Sequence, residues 1–346
     1  MSAAAASLIL RARLRDGTVE GVEIVSPRAD PSPVFIGLAP AQAAVLAGRL
    51  FSLCPASQSI AAEAAGEAAL GVASKPEQSR SRALRLLGER LGEMLRASLL
   101  DWPRAAPPAP EDIARLRDAL AILRALPESG DARMADLRAA AAGLGLGNAR
   151  GGSSFLARQI AEAQEDDARW AAPPAAADYL IAQDDDAVRE AMNRDANFSR
   201  APSLAGRCVE TGAVARRGAT RDGVAARLAA RLDDMAATLD ALDAALNGDA
   251  APEGLLRAHG PATGQGFAAV DSARGRLYHA LRLDDAGRIA DYRIVAPTEW
   301  NFHPDGPFVR ALRGAKIGAG AAAKRRIERL AFAFDPCIRA VAEIVE

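Results

Sequence analysis

The sequence predicts an α+β fold that is mainly helical, with small β-hairpins near the N-terminus and at about 276–295. Two observations carry this prediction: apolar residues recur at helical spacing through the middle of the chain, and short alternating segments flank turn residues towards both ends. Half of the 346 residues are apolar, so the chain can bury a substantial core. We expect a single domain over 1–346, divided into an N-terminal part at 1–75, a variable helical segment at 76–200 and a C-terminal part at 201–346.

The N-terminal part is predicted to begin with a β-hairpin over residues 7–26. Apolar and polar residues alternate on both sides of Asp16-Gly17, a dipeptide that favours tight hairpin turns. A helix is expected from Pro40 to Phe51, because proline is favoured at the first position of a helix. Cys54 immediately precedes a second predicted helix, which runs from Pro55 to about Leu70 and also begins with proline.

Three longer helices are predicted in the middle of the chain. Apolar stripes at 80–100, 111–126 and 223–247 follow helical spacing, and we interpret them as core packing. Two segments rich in alanine and proline, 105–110 and 171–177, are predicted to be linkers or loops.

The C-terminal part is predicted to contain a second hairpin, from Arg276 to Val295. A basic helix is expected at 321–332, and we interpret its charge as a solvated face rather than a docking surface. A closing helix is expected at 337–345, because aspartate at 335 is a favourable N-cap and proline at 336 a favourable first helical residue.

Composition excludes several classes of protein. The net charge of −1 gives no indication of a nucleic-acid partner or an anionic membrane. No apolar run reaches the length of a membrane span, and the first ten residues lack the basic and apolar regions of a signal peptide. Three cysteines are too few for a disulfide framework in a chain of this length. We therefore expect a cytoplasmic protein.

Two of the three cysteines lie near opposite ends of the chain, each at the expected start of a helix. A thiol at that position experiences the helix dipole and free backbone N–H groups, which favour the metal-binding thiolate. Cys54 and Cys337 are therefore candidate ligands of one soft-metal site, and the alternative is a pair of inert buried thiols. Cys208 is interpreted as a small apolar filler or an exposed thiol.

Five separated segments carry recognisable patterns. Residues 49–58 read RLFSLCPASQ, 210–216 read ETGAVAR, 271–279 read DSARGRLYH, 296–301 read APTEWN and 335–343 read DPCIRAVAE. In this order they resemble the large subunit of NiFe hydrogenases, whose motifs include R-x-C-G-x-C-P-x-x-H, E-A-P-R-G-x-L-x-H, P-T-x-W-N and D-P-C-x-x-C-x-x-H. The resemblance implies a shortened hydrogenase large-subunit-like fold.

The departures from these motifs concern the metal ligands. Cys54 matches a cysteine that bridges nickel and iron in the family, and Cys337 matches a terminal nickel ligand. Phe51 and Ala340 stand where the other two cysteines would be, and Gln58 stands where the first motif has histidine. Without four thiolates the nickel site cannot be assembled as in the family. We therefore expect no bound nickel, no hydrogen turnover and no enzymatic activity.

A shortened homologue with one cysteine at each end resembles the hydrogenase formation proteins of the HupK/HoxV type. The resemblance implies a non-catalytic scaffold that transiently carries an Fe(CN)2(CO) fragment towards the NiFe hydrogenase large subunit, together with Hyp-type maturation chaperones. Cys54 and Cys337 would hold the iron, because low-spin iron favours soft thiolate donors. One alternative is a metal-free chaperone that docks maturation proteins or the large subunit. Another is a redox enzyme with an altered metal site.

Four further residues are candidates for contacts with the iron fragment. Arg274 matches a family arginine that could donate hydrogen bonds to a cyanide, or it is a surface or loop-anchoring arginine. Pro297 and Thr298 match positions where the family contacts the diatomic ligands through a backbone turn and a hydroxyl. Asp335 is interpreted as a helix N-cap first and as a support for the site second. His279 is interpreted as a structural histidine.

Overall fold

The architecture is mainly helical, with two small sheets. The computed structural model describes residues 7–104, 107–129, 133–147, 153–168, 170, 178–218 and 223–345. In this part of the chain the helices are α1 (Pro40–Leu50), α2 (Pro55–Ala69), α3 (Pro76–Leu100), α4 (Pro110–Ser129), α5 (Met134–Leu144), α6 (Phe155–Asp167), α7 (Asp185–Arg194), α8 (Ala213–Arg217), α9 (Gly223–Leu246), α10 (Pro297–Asn301), α11 (Pro307–Leu312) and α12 (Gly320–Ala333). The strands are β1 (Leu8–Arg15), β2 (Thr18–Val25), β3 (Leu256–His259), β4 (Gln265–Ser272), β5 (Gly275–Leu283), β6 (Ile289–Val295) and β7 (Ala340–Val345).

The first sheet joins the two ends of the chain. Its strand order is β2-β1-β7, and the predicted N-terminal hairpin is confirmed as the antiparallel pair β1 and β2. Strand β7 pairs with β1 in parallel, from Leu8 opposite Ala340 to Arg13 opposite Val345. The cysteine motif near the C-terminus is therefore fixed to the same sheet as the start of the chain.

The predicted closing helix at 337–345 is wrong, because β7 occupies most of this segment. The residues from Ala340 to Val345 are small or β-branched apart from one glutamate, which suits a strand, and β1 offers a free edge for pairing. Asp335 is not a helix N-cap, since its φ is 50° and no helix follows it. The helix-dipole argument for Cys337 therefore fails.

The second sheet is an antiparallel meander in the order β3-β4-β5-β6. The predicted hairpin is confirmed as β5 and β6, whereas β3 and β4 were not predicted. Helix α2 lies directly on β4: a Cβ at Gly266 would be 1.8 Å from the Ala65 carbonyl oxygen. Only glycine allows this close approach, and it brings the helix that follows Cys54 onto the sheet.

Both faces of the second sheet are buried, so β5 has no solvent-facing side along most of its length. One face packs with α1 to α5 and the C-terminal half of α9 in the largest core. The other face packs with α7 and with Trp300 of α10. A separate core joins the first sheet to α11, α12 and the N-terminal half of α9. Helix α9 thus connects the two halves of the molecule.

The predicted apolar stripes form core, with one exception. The stripe residues of α3 and α9 are buried, whereas Ile113 of α4 is exposed.

The basic helix α12 is solvated at Lys324 and Arg325, but Arg329 is buried and pairs with carboxylates of α6. Among the described residues no helix combines the length and apolar composition needed to cross a bilayer. The predicted linker at 171–177 and residues 105–106 lie outside the described residues.

Candidate functional site

The two cysteines from opposite ends of the chain line one cavity of about 140 Å³. Arg274, Pro297 and Arg28 also line this cavity. The structure therefore brings together the predicted ligands, the predicted arginine and one of the two predicted residues of α10. The loop before α2, the β4–β5 turn, the first turn of α10 and the segment between α12 and β7 each supply part of the wall.

Cys54 occupies the N-terminal end of α2, as predicted. The free N–H groups of this helix terminus, however, do not donate hydrogen bonds to its sulfur. Pro55 has no N–H, and the N–H groups of Ala56 and Ser57 donate to the Glu89 carboxylate at 2.5 and 2.8 Å. A carboxylate is favourable at this end of a helix, so Glu89 takes the position that the thiolate was expected to use. Glu89 was not predicted from the sequence.

The thiol form of Cys54 is favoured, contrary to expectation. Cys54 is buried, and this burial raises the pKa of its thiol to about 12, although the nearby Arg274 guanidinium opposes the shift. A sulfur in a low-dielectric site cannot ionise readily unless a cation compensates it fully. The group therefore carries a proton near neutral pH, and any metal that binds there must displace it.

Arg274 is a fixed cation at the wall of the cavity. Its Nη1 donates to Cys54 Sγ at 2.9 Å, its Nη2 donates to Glu93 Oε2 at 3.2 Å, and its Nε lies 3.6 Å from Asp335 Oδ1. Burial alone would lower the pKa of this guanidinium, but the negative charges around it raise it well above its ordinary value. The alternative of a surface arginine is wrong, since only 3% of Arg274 is exposed.

The turn that carries Arg274 has only two residues between β4 and β5, and it requires glycine at its end. Gly275 has a φ of +122°, and a Cβ there would lie 2.2 Å from Thr211 Oγ1. A side chain at this position would therefore be strained and would collide with the neighbouring loop. The close packing fixes where the arginine points.

Cys337 lies between α12 and β7 and accepts two hydrogen bonds. Thr298 Oγ1 and Arg28 Nη1 each lie 3.0 Å from its Sγ, and its own N–H donates to Thr298 Oγ1 at 2.9 Å. Thr298 is thus committed to Cys337, while Pro297, the first residue of α10, lines the cavity. Arg28 was missed because no motif surrounds it in its polar loop.

Asp335 supports the site through its side chain. Its carboxylate faces Arg274 and lies 3.8 Å from Arg231 Nη2. Among the described residues other than glycine, positive φ values occur at Asp16 in the hairpin turn, at Cys54 (55°) and at Asp335 (50°). Two of these three lie at the cavity or beside its arginine, and left-handed non-glycine residues concentrate at functional sites.

A buried polar chain runs from the cavity into the second sheet. Gln58, which lines the cavity, bonds through Oε1 to His279 Nε2 at 2.8 Å, and Nδ1 of that ring bonds to the Tyr292 hydroxyl at 2.7 Å. Burial lowers the pKa of His279 to about 3, so the ring is neutral. Both ring nitrogens have partners, which confirms His279 as a structural histidine.

The remaining candidates do not complete a metal cage. In the described part of the chain, no group of three or more histidine, cysteine, aspartate and glutamate residues is placed to hold a metal ion. Phe51 lines the cavity where the resemblance would require a cysteine, and Ala340 is the first residue of β7. Cys208 is partly exposed and lines a different pocket, of about 390 Å³. Among the described cysteines, Cys54 and Cys337 line this cavity, so the donor set does not fit a four-thiolate nickel site.

Comparison with known proteins identifies the family. A family model described as nickel-dependent hydrogenase matches residues 175–342. The hydrogenase expression/formation protein HupK of Rhizobium leguminosarum bv. viciae is 39% identical over 328 residues, which covers 88% of this chain and 87% of that protein. The chain belongs to the HupK/HoxV family of hydrogenase expression/formation proteins. HoxV of Cupriavidus necator is 31% identical over 386 residues, covering 99% of this chain and 97% of its own length.

The fold of this HupK/HoxV family member is that of NiFe and NiFeSe hydrogenase large subunits. The reduced, active Ni-Fe-Se hydrogenase of Desulfomicrobium baculatum superimposes with a TM-score of 0.65 at 15% identity, covering 94% of this chain and 95% of that one. The predicted hydrogenase large-subunit-like fold and the predicted resemblance to HupK/HoxV proteins are therefore confirmed.

Proposed function

We propose that this protein is a non-catalytic scaffold in NiFe hydrogenase maturation that transiently carries the Fe(CN)2(CO) fragment at Cys54 and Cys337. One observation supports this most strongly: two cysteines almost three hundred residues apart line one small cavity, and each accepts a hydrogen bond from an arginine. Inert thiols have no need of such partners. Soft thiolates suit low-spin iron, and cationic donors suit the negative charge of an iron–dithiolate complex.

The site favours reversible binding. The hydrogenase large subunit has four cysteines and binds nickel beside the iron, so completion of that larger site would favour transfer to the acceptor. The raised pKa of Cys54 weakens binding further, because loading displaces a proton near neutral pH. Arg274 would donate hydrogen bonds to a cyanide nitrogen, while Asp335 holds the arginine in place. Without the nickel ligands, hydrogen turnover is not expected.

This role implies protein partners of two kinds. The iron fragment would arrive with Hyp-type maturation chaperones and would leave to the NiFe hydrogenase large subunit. Both transfers would take place in the cytoplasm. The large-subunit-like fold provides a surface of the same general shape as the acceptor, which is consistent with docking to chaperones that also recognise the acceptor.

Infrared spectroscopy with iron analysis, on protein purified without oxygen from its native host, tests the proposal. Cyanide and carbonyl stretches are expected with about one iron per chain, bound through the two thiolates. Cys54→Ser and Cys337→Ser should each lose the iron, whereas Cys208→Ser, at the cysteine outside the cavity, should retain it. Full iron in both cavity variants would refute the site. A silent spectrum in folded wild-type protein would refute the carrier role.

A metal-free chaperone is the second candidate, favoured by the protonated thiol of Cys54 and by the absence of a larger ligand group among the described residues. In this case the hydrogenase-like surface alone would bind maturation proteins or the large subunit. The double variant Cys54→Ser/Cys337→Ser distinguishes the two functions. Undiminished complex formation in a pull-down with the large subunit would favour the chaperone, and loss of the complex would count against it.

A further inference from the structure

Arg28 connects solvent, the cavity and the second cysteine. Its side chain is partly exposed at 24% and lines the cavity. Its Nη1 lies 3.0 Å from Cys337 Sγ and 3.0 Å from Glu299 Oε1. The Glu299 side chain is also partly buried, at 21% exposed. One guanidinium nitrogen thus holds the sulfur and the carboxylate together at the solvent side of the cavity.

Two residues of α10 determine the hydrogen bonds that the Cys337 sulfur accepts. Thr298 donates its hydroxyl hydrogen to Cys337, and the next residue, Glu299, anchors Arg28. Burial raises the pKa of the Glu299 carboxyl, and the Arg28 charge opposes that shift. The Glu299 carboxylate is therefore stabilised by this arginine, and Glu299 is the carboxylate that lies within ion-pair distance of Arg28 in the described part of the chain.

The loop that carries Arg28 has few buried residues between the end of β2 and Ser32. Arg28 is partly buried, whereas Ser26, Pro27, Ala29 and Asp30 are exposed. Segments with few buried contacts open at low free-energy cost. Arg274 differs in each respect, since it is buried, lies on a two-residue turn and faces two carboxylates. The wall at Cys54 therefore has more buried contacts and more ion pairs than the wall at Cys337.

We propose that Arg28 and Glu299 form a latch over Cys337 that governs exchange of the bound iron fragment. This inference rests on the function proposed above. When the ion pair is closed, Arg28 covers the sulfur and offers N–H donors to the guest. When it opens, the loop at 26–31 moves away and Cys337 becomes accessible to an incoming or accepting thiolate.

The cover over Cys337 can be measured without iron. Iodoacetamide, a small neutral reagent, is reacted with metal-free protein over a range of pH, and peptide mass spectrometry resolves each cysteine. At alkaline pH the labelling rate reaches a limit, because the thiol is then fully ionised. This limiting rate reports how accessible the sulfur is to the reagent. For Cys337 this rate should rise about fivefold in Arg28→Gln, the effect of losing roughly one hydrogen bond of ordinary strength. Glu299→Gln should act in the same direction. Arg28→Lys should restore part of the protection.

The matched control is Arg15→Gln, which removes an arginine of the hairpin that precedes this loop and whose side chain is 76% exposed. Labelling of Cys337 should be unchanged in this control, and labelling of Cys54 should be unchanged in every variant. Equal limiting rates at Cys337 in wild type, Arg28→Gln and Glu299→Gln would overturn the latch. Acceleration at both cavity cysteines would also overturn it, because that result indicates general loosening.

The iron-loaded protein supplies the second measurement. Excess dithiothreitol, which competes through two thiolates, is added, the protein is desalted at intervals, and loss of the cyanide stretches from the protein fraction is followed. Both latch variants should lose the bands faster than wild type, by a factor similar to that for labelling. Equal loss rates would overturn the latch while leaving the carrier function in place. If wild type carries no iron but Cys337 labelling accelerates, the cover over Cys337 is upheld and the carrier function fails.

Discussion

The two cysteines of the cavity are held in opposite ways. Cys54 is buried at the start of a helix that packs closely on a sheet, and its arginine sits on a tight turn between two carboxylates. Cys337 is partly exposed before a terminal strand, and its arginine sits on an exposed loop with one carboxylate. The first arrangement depends on the core, and the second depends on a few side-chain contacts.

Under the carrier function proposed above, this difference gives the two sides of the cavity separate roles. A site that must both hold and release a guest needs one rigid wall, to define position, and one wall that opens at low cost. The fold supplies the rigid wall at Cys54. Positions 51 and 340 are phenylalanine and alanine, so under the function proposed above two thiolates, rather than four, would hold the guest.

The largest expected effect is on stability when the arginine of the rigid wall is replaced. Arg274→Gln should lower the free energy of unfolding by about 3 kcal/mol, because it removes the buried cation shared by the partly buried carboxylates of Glu93 and Asp335 and leaves them only their longer contacts with Arg96 and Arg231. Arg28→Gln should cost about 1 kcal/mol or less, because its ion pair is partly solvated. Urea denaturation of both variants measures the contrast. Equal losses would show that the two walls do not differ in rigidity.

A second expected effect concerns alkaline pH. The pKa of the Cys54 thiol is about 12 in the folded protein against an ordinary value of 9.0, so the unfolded chain loses this proton first. Stability should therefore fall as pH rises from about 9 towards 12, by up to about 1.4 kcal/mol per pH unit from this group alone. Cys54→Ser should show a shallower fall in urea denaturation between pH 8 and 10.5.

The same comparison excludes other groups that titrate in this range. Burial also raises the pKa of Tyr278 and Tyr292, but both tyrosines are present in wild type and in Cys54→Ser, so their contributions cancel in the difference. Parallel stability profiles for the two proteins would mean that Cys54 ionises more readily than its burial indicates, and that the wall around it is more open to water.

The sequence predicted the elements whose signals are local. Helices α1, α2, α3 and α9 follow from proline at the first helical position and from apolar stripes, and both hairpins follow from alternation around turn residues. Strand β7 was missed because its partner β1 lies more than three hundred residues away, and this pairing outweighs the local helix signal of Asp335-Pro336. Strand β4 was missed because its alanine and glycine residues give a weak strand pattern.

The sequence predicted which residues form the candidate site, but it did not predict the protonation state of Cys54 or the contact made by Arg28. The motifs placed Cys54, Cys337 and Arg274 together, and the structure brings all three to one cavity. The protonation of Cys54 depends on burial, and the role of Arg28 depends on a contact across the fold. Neither has a local signature in a chain with 43 lysine and arginine residues.

The smallest expected effect tests the last position of the C-terminal motif. Glu343 stands where the resemblance has a histidine, yet it lies on β7 with its side chain 46% exposed and pairs with Arg11 across the first sheet. Glu343→Gln should change the free energy of unfolding by about 0.5 kcal/mol or less, since exposed ion pairs contribute little. Iron content and the labelling rate of Cys337 should match wild type. A clear loss of iron in this variant would extend the functional region from the Cys337 wall along β7, and the contrast between a rigid and an opening wall would then have to include the strand that follows the second cysteine.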